Sequence, residues 1–297
     1  MIIASLPSPD HLDLMRRMIS HPLVGGVRFN TGMRNSWSPR DTLECIYGMI
    51  RMERKELWID IKGRQLRINQ WADPTYGDIV LNREITVDLP AKIFFRGAGW
   101  TNIVRVKGNR IYVDPDPPVA IGGGQSVNVA GRNLHILGPY LTSLDVEYIK
   151  VGAELGINEL MLSFIEKTDD IDHVLSINKA ARVWLKIESE PGISFMKDTG
   201  IQFNDSCRLM AARDDMLTNL ENKSQIIPIL ETMIRKDPEA IAASHILSSV
   251  TEGQLSAADI SDLKLLSMMG YKHFMLGDLV SLRYFDEAME ILQDFQC

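Results

Sequence analysis

The chain has 297 residues, 45% of them apolar, and a formal net charge of -7. This length and composition suit one barrel-sized domain or two smaller ones, and the acidic balance argues against non-specific nucleic-acid binding. Neither a disulfide framework nor a zinc site is expected, because Cys45, Cys207 and Cys297 are far apart and no C-x-x-C spacing occurs. With no basic leader and no apolar run of membrane-spanning length, we expect a cytoplasmic protein.

Short apolar or β-branched runs recur along the chain and predict eight strands. Between most of them lie segments with apolar residues at helical spacing, such as Leu12, Met15, Met18 and Ile19. Strands that alternate with helices are typical of parallel crossovers, so the pattern predicts an α/β fold, a closed (β/α)₈ TIM barrel that ends with a helix at 281–295. A doubly wound open sheet is the alternative. The predicted strands are 2–6, 24–30, 57–62, 160–164, 183–188, 209–213, 240–246 and 273–277.

The connection after the third strand is too long for a simple barrel loop, with roughly sixty to eighty residues before the next helix. It contains strand-like pieces of its own and turn signals such as Gly108-Asn109. We therefore predict a small β lid domain inserted after strand 3, over the mouth of the barrel. The predicted boundaries are 1–73 and 138–297 for the barrel and 74–137 for the lid.

Charged residues stand at the carboxyl ends of several predicted strands, where TIM barrels carry their catalytic groups. Lys186 and Glu188 end the fifth strand, and because side chains alternate along a strand, both head groups point the same way. Burying them is costly unless a metal, a substrate or partner charges compensate them. The other strand ends are Arg28-Phe29-Asn30, Asp60-Ile61-Lys62, Arg213-Asp214-Asp215 and Ser244-His245.

Carboxylates among several cations suit a hard divalent ion, together with an anionic substrate that bridges the ion to Lys and Arg. Glu188 and Asp215 are the predicted ligands, with Asp60 as a third carboxylate. An ordinary ion pair at a barrel rim is the better explanation for any one of these pairs. The agreement of five strand ends favours a functional site.

The order of these residues resembles pyruvate kinase. Lys186-Ile187-Glu188 with Gly192 matches that family's Lys-Ile-Glu segment, and Met210-Ala211-Ala212-Arg213-Asp214-Asp215 is similar to its Met-Val-Ala-Arg-Gly-Asp. The family's lid also interrupts the barrel after strand 3. Four further segments are similar to motifs of the family. Arg28-Phe29-Asn30 resembles its Arg-x-Asn, and Asp60-Ile61-Lys62-Gly63 with Arg67 resembles its Asp-Thr-Lys-Gly and the Arg that follows. Ser163-Phe164 resembles its Ser-Phe-Val, and residues 243–249 resemble its Ala-Thr-Gln-Met-Leu-Glu-Ser.

The resemblance implies a divalent-metal enzyme of glycolysis that acts on phosphoenolpyruvate or the pyruvate enolate, by default through phosphoryl transfer between phosphoenolpyruvate and ADP. It assigns Lys186 to the phosphoryl group and the enolate, Glu188 and Asp215 to magnesium or manganese, and Ser244 to the place of a threonine that assists proton transfer. The remaining implied roles are catalytic for Arg28 and Arg213, metal-binding for Asp60, and substrate-binding for Asn30, Lys62, Arg67, Ser163, Asp214 and His245.

The chain also departs from the family's pattern. Gly32 and Ile61 replace two residues of its monovalent-cation site, which argues against potassium dependence. Asp214 adds a negative charge where backbone amides receive the substrate carboxylate, while Met33 and Gln125 replace a histidine and a lid lysine. Since the sequence stops after the eighth helix, we do not expect the family's C-terminal regulatory domain or its allosteric control.

Two other functions stay open. The first is a pyruvate-enolate lyase, either an aldolase or a decarboxylase, in which His245 serves as acid or base. The second is a degenerate barrel that binds a metabolite or a partner protein. The expected partners are phosphoenolpyruvate or pyruvate, with ADP or ATP, and no nucleic acid or membrane; a dimer through the barrel helices is the predicted assembly.

Overall fold

The computed structural model describes residues 1–33, 35–69, 77–131 and 133–295. The chain divides into two compact units, Met1–Lys62 with Leu141–Cys297, and Gly63–Tyr140. The predicted boundary between residues 73 and 74 lies outside the described residues, and so does Cys297. Cys45 and Cys207 carry free thiols. Among the described residues, every helix is too short or too polar to cross a bilayer.

The described strands are β1 (Ile2–Ser5), β2 (Val24–Asn30), β3 (Glu56–Ile61), β4 (Ile79–Val80), β5 (Ile85–Thr86), β6 (Ala91–Phe95), β7 (Gly99–Lys107), β8 (Arg110–Asp114), β9 (Val127–Ala130), β10 (His135–Ile136), β11 (Glu159–Leu162), β12 (Arg182–Ile187), β13 (Cys207–Ala212), β14 (Ile241–Ala243) and β15 (His273–Met275). The described helices are α1 (Leu12–Ser20), α2 (Pro39–Glu53), α3 (Ser143–Leu155), α4 (Thr168–Ile177), α5 (Glu190–Asp198), α6 (Arg213–Asn219), α7 (Ile226–Lys236), α8 (Ala257–Met269), α9 (Asp278–Arg283) and α10 (Phe285–Phe295).

Within the described residues of the first unit, eight parallel strands close into a barrel in the order β1-β2-β3-β11-β12-β13-β14-β15. The ring closes where β15 pairs with β1, with Phe274 opposite Ile2. Parallel strands covered on both faces are expected to be almost continuously apolar, and the burial of these strands agrees with that. The closed ring confirms the predicted TIM barrel and excludes the open sheet.

An apolar layer fills the barrel interior. It consists of Ile3, Trp58, Met161, Met210, Ile241, Ala243 and Met275. Trp58 takes its place because β2 has a glycine beside it, and a Cβ built on Gly26 would lie 2.2 Å from the indole ring. Because side chains two positions apart share a face of a strand, Asp60 and Ser163 follow Trp58 and Met161 on the inward face.

The second unit is built from antiparallel strands that follow β3 in the chain. Its five-stranded sheet has the order β4-β8-β7-β6-β9, and β10 pairs with β5. The unit has its own apolar core, which includes Ile79, Leu81, Ile93, Phe95 and Ile103. Arg83 donates hydrogen bonds to the carbonyl groups of Gly63, Pro139 and Tyr140 and so joins the two ends of the unit. A small β domain inserted after the third barrel strand is therefore present, as predicted.

Most predicted strands end one or two residues early, and two predicted elements differ more from the structure. The predicted strand 240–246 stops at Ala243, because Ser244 and His245 have φ angles of 65° and 56°, which a β-strand does not accommodate. The predicted helix 281–295 is two helices, α9 and α10. Tyr284 separates them with a φ of -130° and a ψ of 29°.

Candidate active site

Charged side chains from β2, β3 and β12 meet at the carboxyl ends of the barrel strands. We call Arg28, Asp60, Lys62, Lys186 and Glu188 the ion cluster. All five residues are less than 10% exposed: Arg28 7%, Asp60 0%, Lys62 7%, Lys186 5% and Glu188 0%. Charges buried to this extent are stable only when opposite charges or a ligand compensate them.

Asp60 lies at the centre of the cations. Its Oδ2 accepts hydrogen bonds from Arg28 Nε at 2.8 Å and from Lys62 Nζ at 2.8 Å. Its Oδ1 accepts from Ser163 Oγ at 3.3 Å and lies 3.5 Å from Lys186 Nζ. Burial raises the pKa of Asp60, but the charges of Lys186, Lys62 and Arg28 outweigh burial and hold that pKa well below its usual value. These contacts favour a charge partner for the cations over a metal ligand.

The ammonium group of Lys186 lies between two carboxylates. Its Nζ donates to Ser163 Oγ at 2.8 Å and is 2.9 Å from Glu188 Oε1. Burial lowers the pKa of Lys186, but the charges of Asp60 and Glu188 outweigh burial and raise that pKa above its usual value. Lys186 therefore keeps its proton, and its positive charge, at neutral pH.

Glu188 occupies the turn between β12 and α5. The strand ends here because Ser189 begins the helix by accepting a hydrogen bond from Gly192 N. Glu188 Oε2 accepts from Phe164 N at 2.6 Å, whereas Oε1 is buried without a hydrogen bond from the described residues, although Lys186 Nζ is close. Burial is the largest cause of a pKa of about 7 for Glu188; Lys186 lowers this pKa and Asp215 raises it.

The Glu188 end of the ion cluster is the part that could hold a divalent cation. Asp215, in the first turn of α6, acts through its charge on the pKa of both Lys186 and Glu188. No group of three His, Cys, Asp or Glu side chains in the described ranges could hold a metal ion alone. Magnesium does not require such a group, because it is commonly bound by one or two carboxylates and completed by substrate oxygens and water. The buried Oε1 of Glu188 accepts no hydrogen bond from the described residues and lies 2.9 Å from the Lys186 ammonium, so it could supply one such carboxylate ligand, with the charge of Asp215 also acting on Glu188.

Arg28 joins the ion cluster to the first barrel strand and to the start of α9. Its Nη1 donates to Ser5 Oγ at 2.9 Å and to Asp278 Oδ1. Asp278 Oδ2 in turn accepts from Asn30 Nδ2 at 3.1 Å. Burial raises the pKa of Asp278, but the charges of Arg28 and Lys62 outweigh burial and lower it. Ser5 and Asp278 were not predicted as site residues, although Asp278 directly follows the eighth predicted strand.

Comparison with known proteins matches residues 102–277, more than half of the chain, to the model of the pyruvate kinase barrel domain. The chain belongs to the pyruvate kinase family. It is 25% identical to pyruvate kinase of Thermoplasma acidophilum over 295 residues, which cover 88% of this chain and 51% of that protein. It is 23% identical to human pyruvate kinase PKLR over 74% of this chain and 44% of that protein.

A third relative is pyruvate kinase of Lactobacillus delbrueckii subsp. bulgaricus, which is 27% identical over 59% of this chain and 30% of that protein. The chain thus spans about half, or less, of the length of these curated relatives. Membership in the pyruvate kinase family confirms the predicted resemblance.

In the pyruvate-kinase-like segment around Arg213, the buried cation binds a carboxylate from a helix and a backbone carbonyl, and not the residues of the ion cluster. The buried Arg213 guanidinium donates to both Asp262 carboxylate oxygens, at 2.6 and 2.9 Å, and to the Ser244 carbonyl at 2.6 Å. Left-handed backbone at Ser244 and His245 makes this turn costly for residues with a Cβ. Arg213 thus holds the turn that carries Ser244. His245 Nε2 lies 3.5 Å from Asp214 Oδ1.

Arg67, which the resemblance assigns to substrate phosphates, belongs to the second unit. Its guanidinium donates to Gln65 Oε1 at 3.1 and 2.7 Å and to the Gly124 carbonyl at 2.6 Å. The structure therefore brings together Arg28, Asp60, Lys62, Ser163, Lys186 and Glu188 through direct contacts, links Asn30 to Arg28 through Asp278, and leaves Asp215 acting through its charge. The phosphate-binding role of Arg67 stays a prediction.

Proposed function

We propose that this chain catalyses pyruvate-kinase chemistry, in which a phosphoryl group passes from phosphoenolpyruvate to ADP and the enolate that remains takes up a proton to give pyruvate. One observation carries the proposal. A protonated lysine, Lys186, is buried beside Glu188, a carboxylate with an oxygen that accepts no hydrogen bond from the described residues. The match to the pyruvate kinase barrel domain supports the same reaction.

Lys186 stabilises the negative charge that develops on the enolate oxygen as the phosphoryl group leaves it. A buried and preorganised ammonium is effective here, because little solvent has to reorganise around the new charge. Asp60 and Ser163 hold the ammonium in place, since both contact its Nζ. The raised pKa of Lys186 means that the ammonium is charged before the substrate and metal bind.

Glu188 and Asp215 would hold magnesium or manganese, with the Oε1 of Glu188, whose neighbour is the Lys186 ammonium, as the ligand atom. When bound, such an ion polarises substrate oxygens as a Lewis acid. Arg28 and Lys62 bring two further positive charges toward an anionic substrate. Ser244 would assist proton transfer, and the Arg213 side chain supports the turn that carries it by donating to the Ser244 carbonyl.

The proposal is tested by two assays on the same protein. Turnover of phosphoenolpyruvate and ADP with magnesium, measured with and without potassium, tests phosphoryl transfer. Deuterium exchange into the methyl group of pyruvate tests enolate chemistry alone. We expect Lys186→Met to lower both rates by at least about 100-fold, the usual effect of removing one preorganised electrostatic group.

Lys197→Met is the matched control, because Lys197 is an exposed lysine on α5, the helix that follows Lys186 in the chain. It should keep both rates. Wild-type protein that exchanges deuterium but does not turn over phosphoenolpyruvate and ADP contradicts the kinase reaction. Wild-type protein that shows neither activity contradicts the proposal as a whole and favours a degenerate barrel.

A pyruvate-enolate lyase is the second candidate, and one observation favours it. His245 Nε2 is 3.5 Å from Asp214 Oδ1, and both side chains are partly exposed, at 42% and 35%. An imidazole beside a carboxylate is a suitable acid-base group. The lyase shares deuterium exchange with the kinase but not turnover of phosphoenolpyruvate and ADP, so the two assays above separate these functions.

A further inference from the structure

We infer that Asp278 competes with the anionic substrate for Arg28 and thereby sets the affinity of the site for anions. The inference rests on the proposed function, in which Arg28 receives an anionic group of the substrate. It is carried by the hydrogen bonds of Arg28 and by the different burial of the residues that accept them.

Arg28 has few donors left for a ligand. An arginine has five N–H donors, and four of those of Arg28 are used: Nε and one from Nη2 by Asp60, and both from Nη1 by Ser5 and Asp278. A phosphate or carboxylate usually binds an arginine through two parallel hydrogen bonds. A substrate can therefore bind Arg28 in this manner only if one of the present partners leaves.

Asp278 is the partner that can leave. Ser5 and Asp60 are 0% exposed and lie inside the barrel. The Asp278 side chain is 43% exposed, while that of Arg28 is 9% exposed. Asp278 is also the first residue of α9, a position from which a side chain can rotate into solvent without disturbing a strand.

An incoming anion would replace one negative charge at Arg28 with another. The electrostatic gain of binding is therefore the difference between two ion pairs and not the full strength of one. Asn30 strengthens the contact between Asp278 and Arg28, because its Nδ2 donates to Asp278 Oδ2 at 3.1 Å and holds that carboxylate toward Arg28. Asp278 thus weakens binding of any anion that needs Arg28 Nη1.

The test is binding of inorganic phosphate and of phosphoenolpyruvate, measured by calorimetry on the full chain with magnesium present. Asp278→Asn removes the charge but keeps an oxygen that accepts from Arg28. We expect it to bind both anions about fivefold to tenfold more tightly, an effect between those of a fully exposed and a buried ion pair. Asp278→Glu keeps the charge and should stay within about threefold of the wild type.

Asp286→Asn is the charge-matched control. Asp286 pairs with Arg17 at 3.0 Å on the surface, so the variant changes the net charge equally without touching Arg28, and its anion affinity should not change. The melting temperature of each variant shows that it is folded. Equal or weaker anion binding by folded Asp278→Asn overturns the inference, as does equal tightening by Asp286→Asn.

These outcomes are distinguishable from failure of the proposed reaction. Tighter phosphate binding by Asp278→Asn, without turnover of phosphoenolpyruvate and ADP by the wild type, supports the inference and contradicts the kinase reaction. Wild-type turnover without any gain in anion affinity in Asp278→Asn overturns the inference alone.

Discussion

The ion cluster has a buried carboxylate at each of its two ends, and the pKa values of these two carboxylates are shifted in opposite directions. Asp60 and Glu188 are both 0% exposed, and both lie near the Lys186 ammonium. At the Asp60 end, three cations outweigh burial and lower the pKa of the carboxyl group. At the Glu188 end, burial is the largest influence, and Asp215 adds to it, so the pKa rises to about 7.

This difference in pKa indicates different roles: the charge of Asp60 holds neighbouring side chains, whereas the charge of Glu188 can bind a ligand. Asp60 has partners on both oxygens and serves to hold Arg28, Lys62 and Lys186. Glu188 has one oxygen on a backbone amide and one that receives no hydrogen bond from the described residues. A buried negative charge that the protein compensates only in part is suited to bind a cation from solution.

The largest expected effect is at the Asp60 end. Asp60→Asn should reduce the free energy of unfolding by about 4 kcal/mol, because removing one partner of a buried ion pair leaves the other charges uncompensated. Equilibrium unfolding in urea measures this loss. Asp13→Asn is the control, since Asp13 is fully exposed on α1, and should change stability by less than about 0.5 kcal/mol. A loss below about 1 kcal/mol in Asp60→Asn would contradict the structural role.

At the Glu188 end, in the absence of metal, we expect removal of the carboxylate to increase the free energy of unfolding, whereas at the Asp60 end it reduces it. Because the folded-state pKa of about 7 exceeds the ordinary value of 4.5, the folded protein keeps a proton that the unfolded chain has lost. Stability from this group is therefore present below pH 4.5 and is lost as pH rises to 7. Glu188→Gln, which resembles the protonated form, should be more stable than the wild type by up to about 3 kcal/mol above pH 7.

The measurement is urea unfolding of both proteins from pH 4.5 to pH 8 with a chelator present. The difference between Glu188→Gln and wild type should shrink to zero at the acidic end. Added magnesium should stabilise the wild type above pH 7 and not the variant, because metal binding requires the ionised carboxylate. A difference that is constant with pH contradicts the raised pKa of Glu188.

The smallest expected effect is at the hydroxyl group between the two ends. Ser163→Ala removes a hydrogen bond to Lys186 and one to Asp60, while the ion pair between these two residues remains. Urea unfolding should show a loss of about 1 kcal/mol, the usual net value of such hydrogen bonds. Ser176→Ala, which removes an exposed hydroxyl on α4, is the control. A loss as large as that of Asp60→Asn would mean that the two ends are not distinct.

Periodicity in the sequence was sufficient to predict the barrel and part of the ion cluster. Because side chains alternate along a strand, Lys186 and Glu188 were expected on one face, and their head groups lie 2.9 Å apart. The same rule brings Asp60 and Lys62 into contact at 2.8 Å. These are local relations between residues two positions apart, at the point where each strand ends.

Contacts across the barrel could not be predicted in this way. Asp278 was missed because its contact with Arg28 joins residues 250 positions apart and exists only when the ring of strands closes. The ion-pair partner of Arg213 could not be predicted from residue spacing either, since that partner, Asp262, lies on α8. In both cases the sequence indicates a charge near a strand end, while barrel closure or helix packing selects its partner.

Closure of the barrel between β1 and β15 also has a consequence for how the chain can vary in evolution. Insertions or deletions between β3 and α3 leave the pairing of Ser5 with Arg28 and of Asn30 with Asp60 unchanged. A one-residue slip of β1 would instead turn Ser5 to the opposite face and remove a partner of Arg28. Related sequences should therefore differ freely in the length of the inserted unit, while strand lengths and registers around Arg28 stay constant.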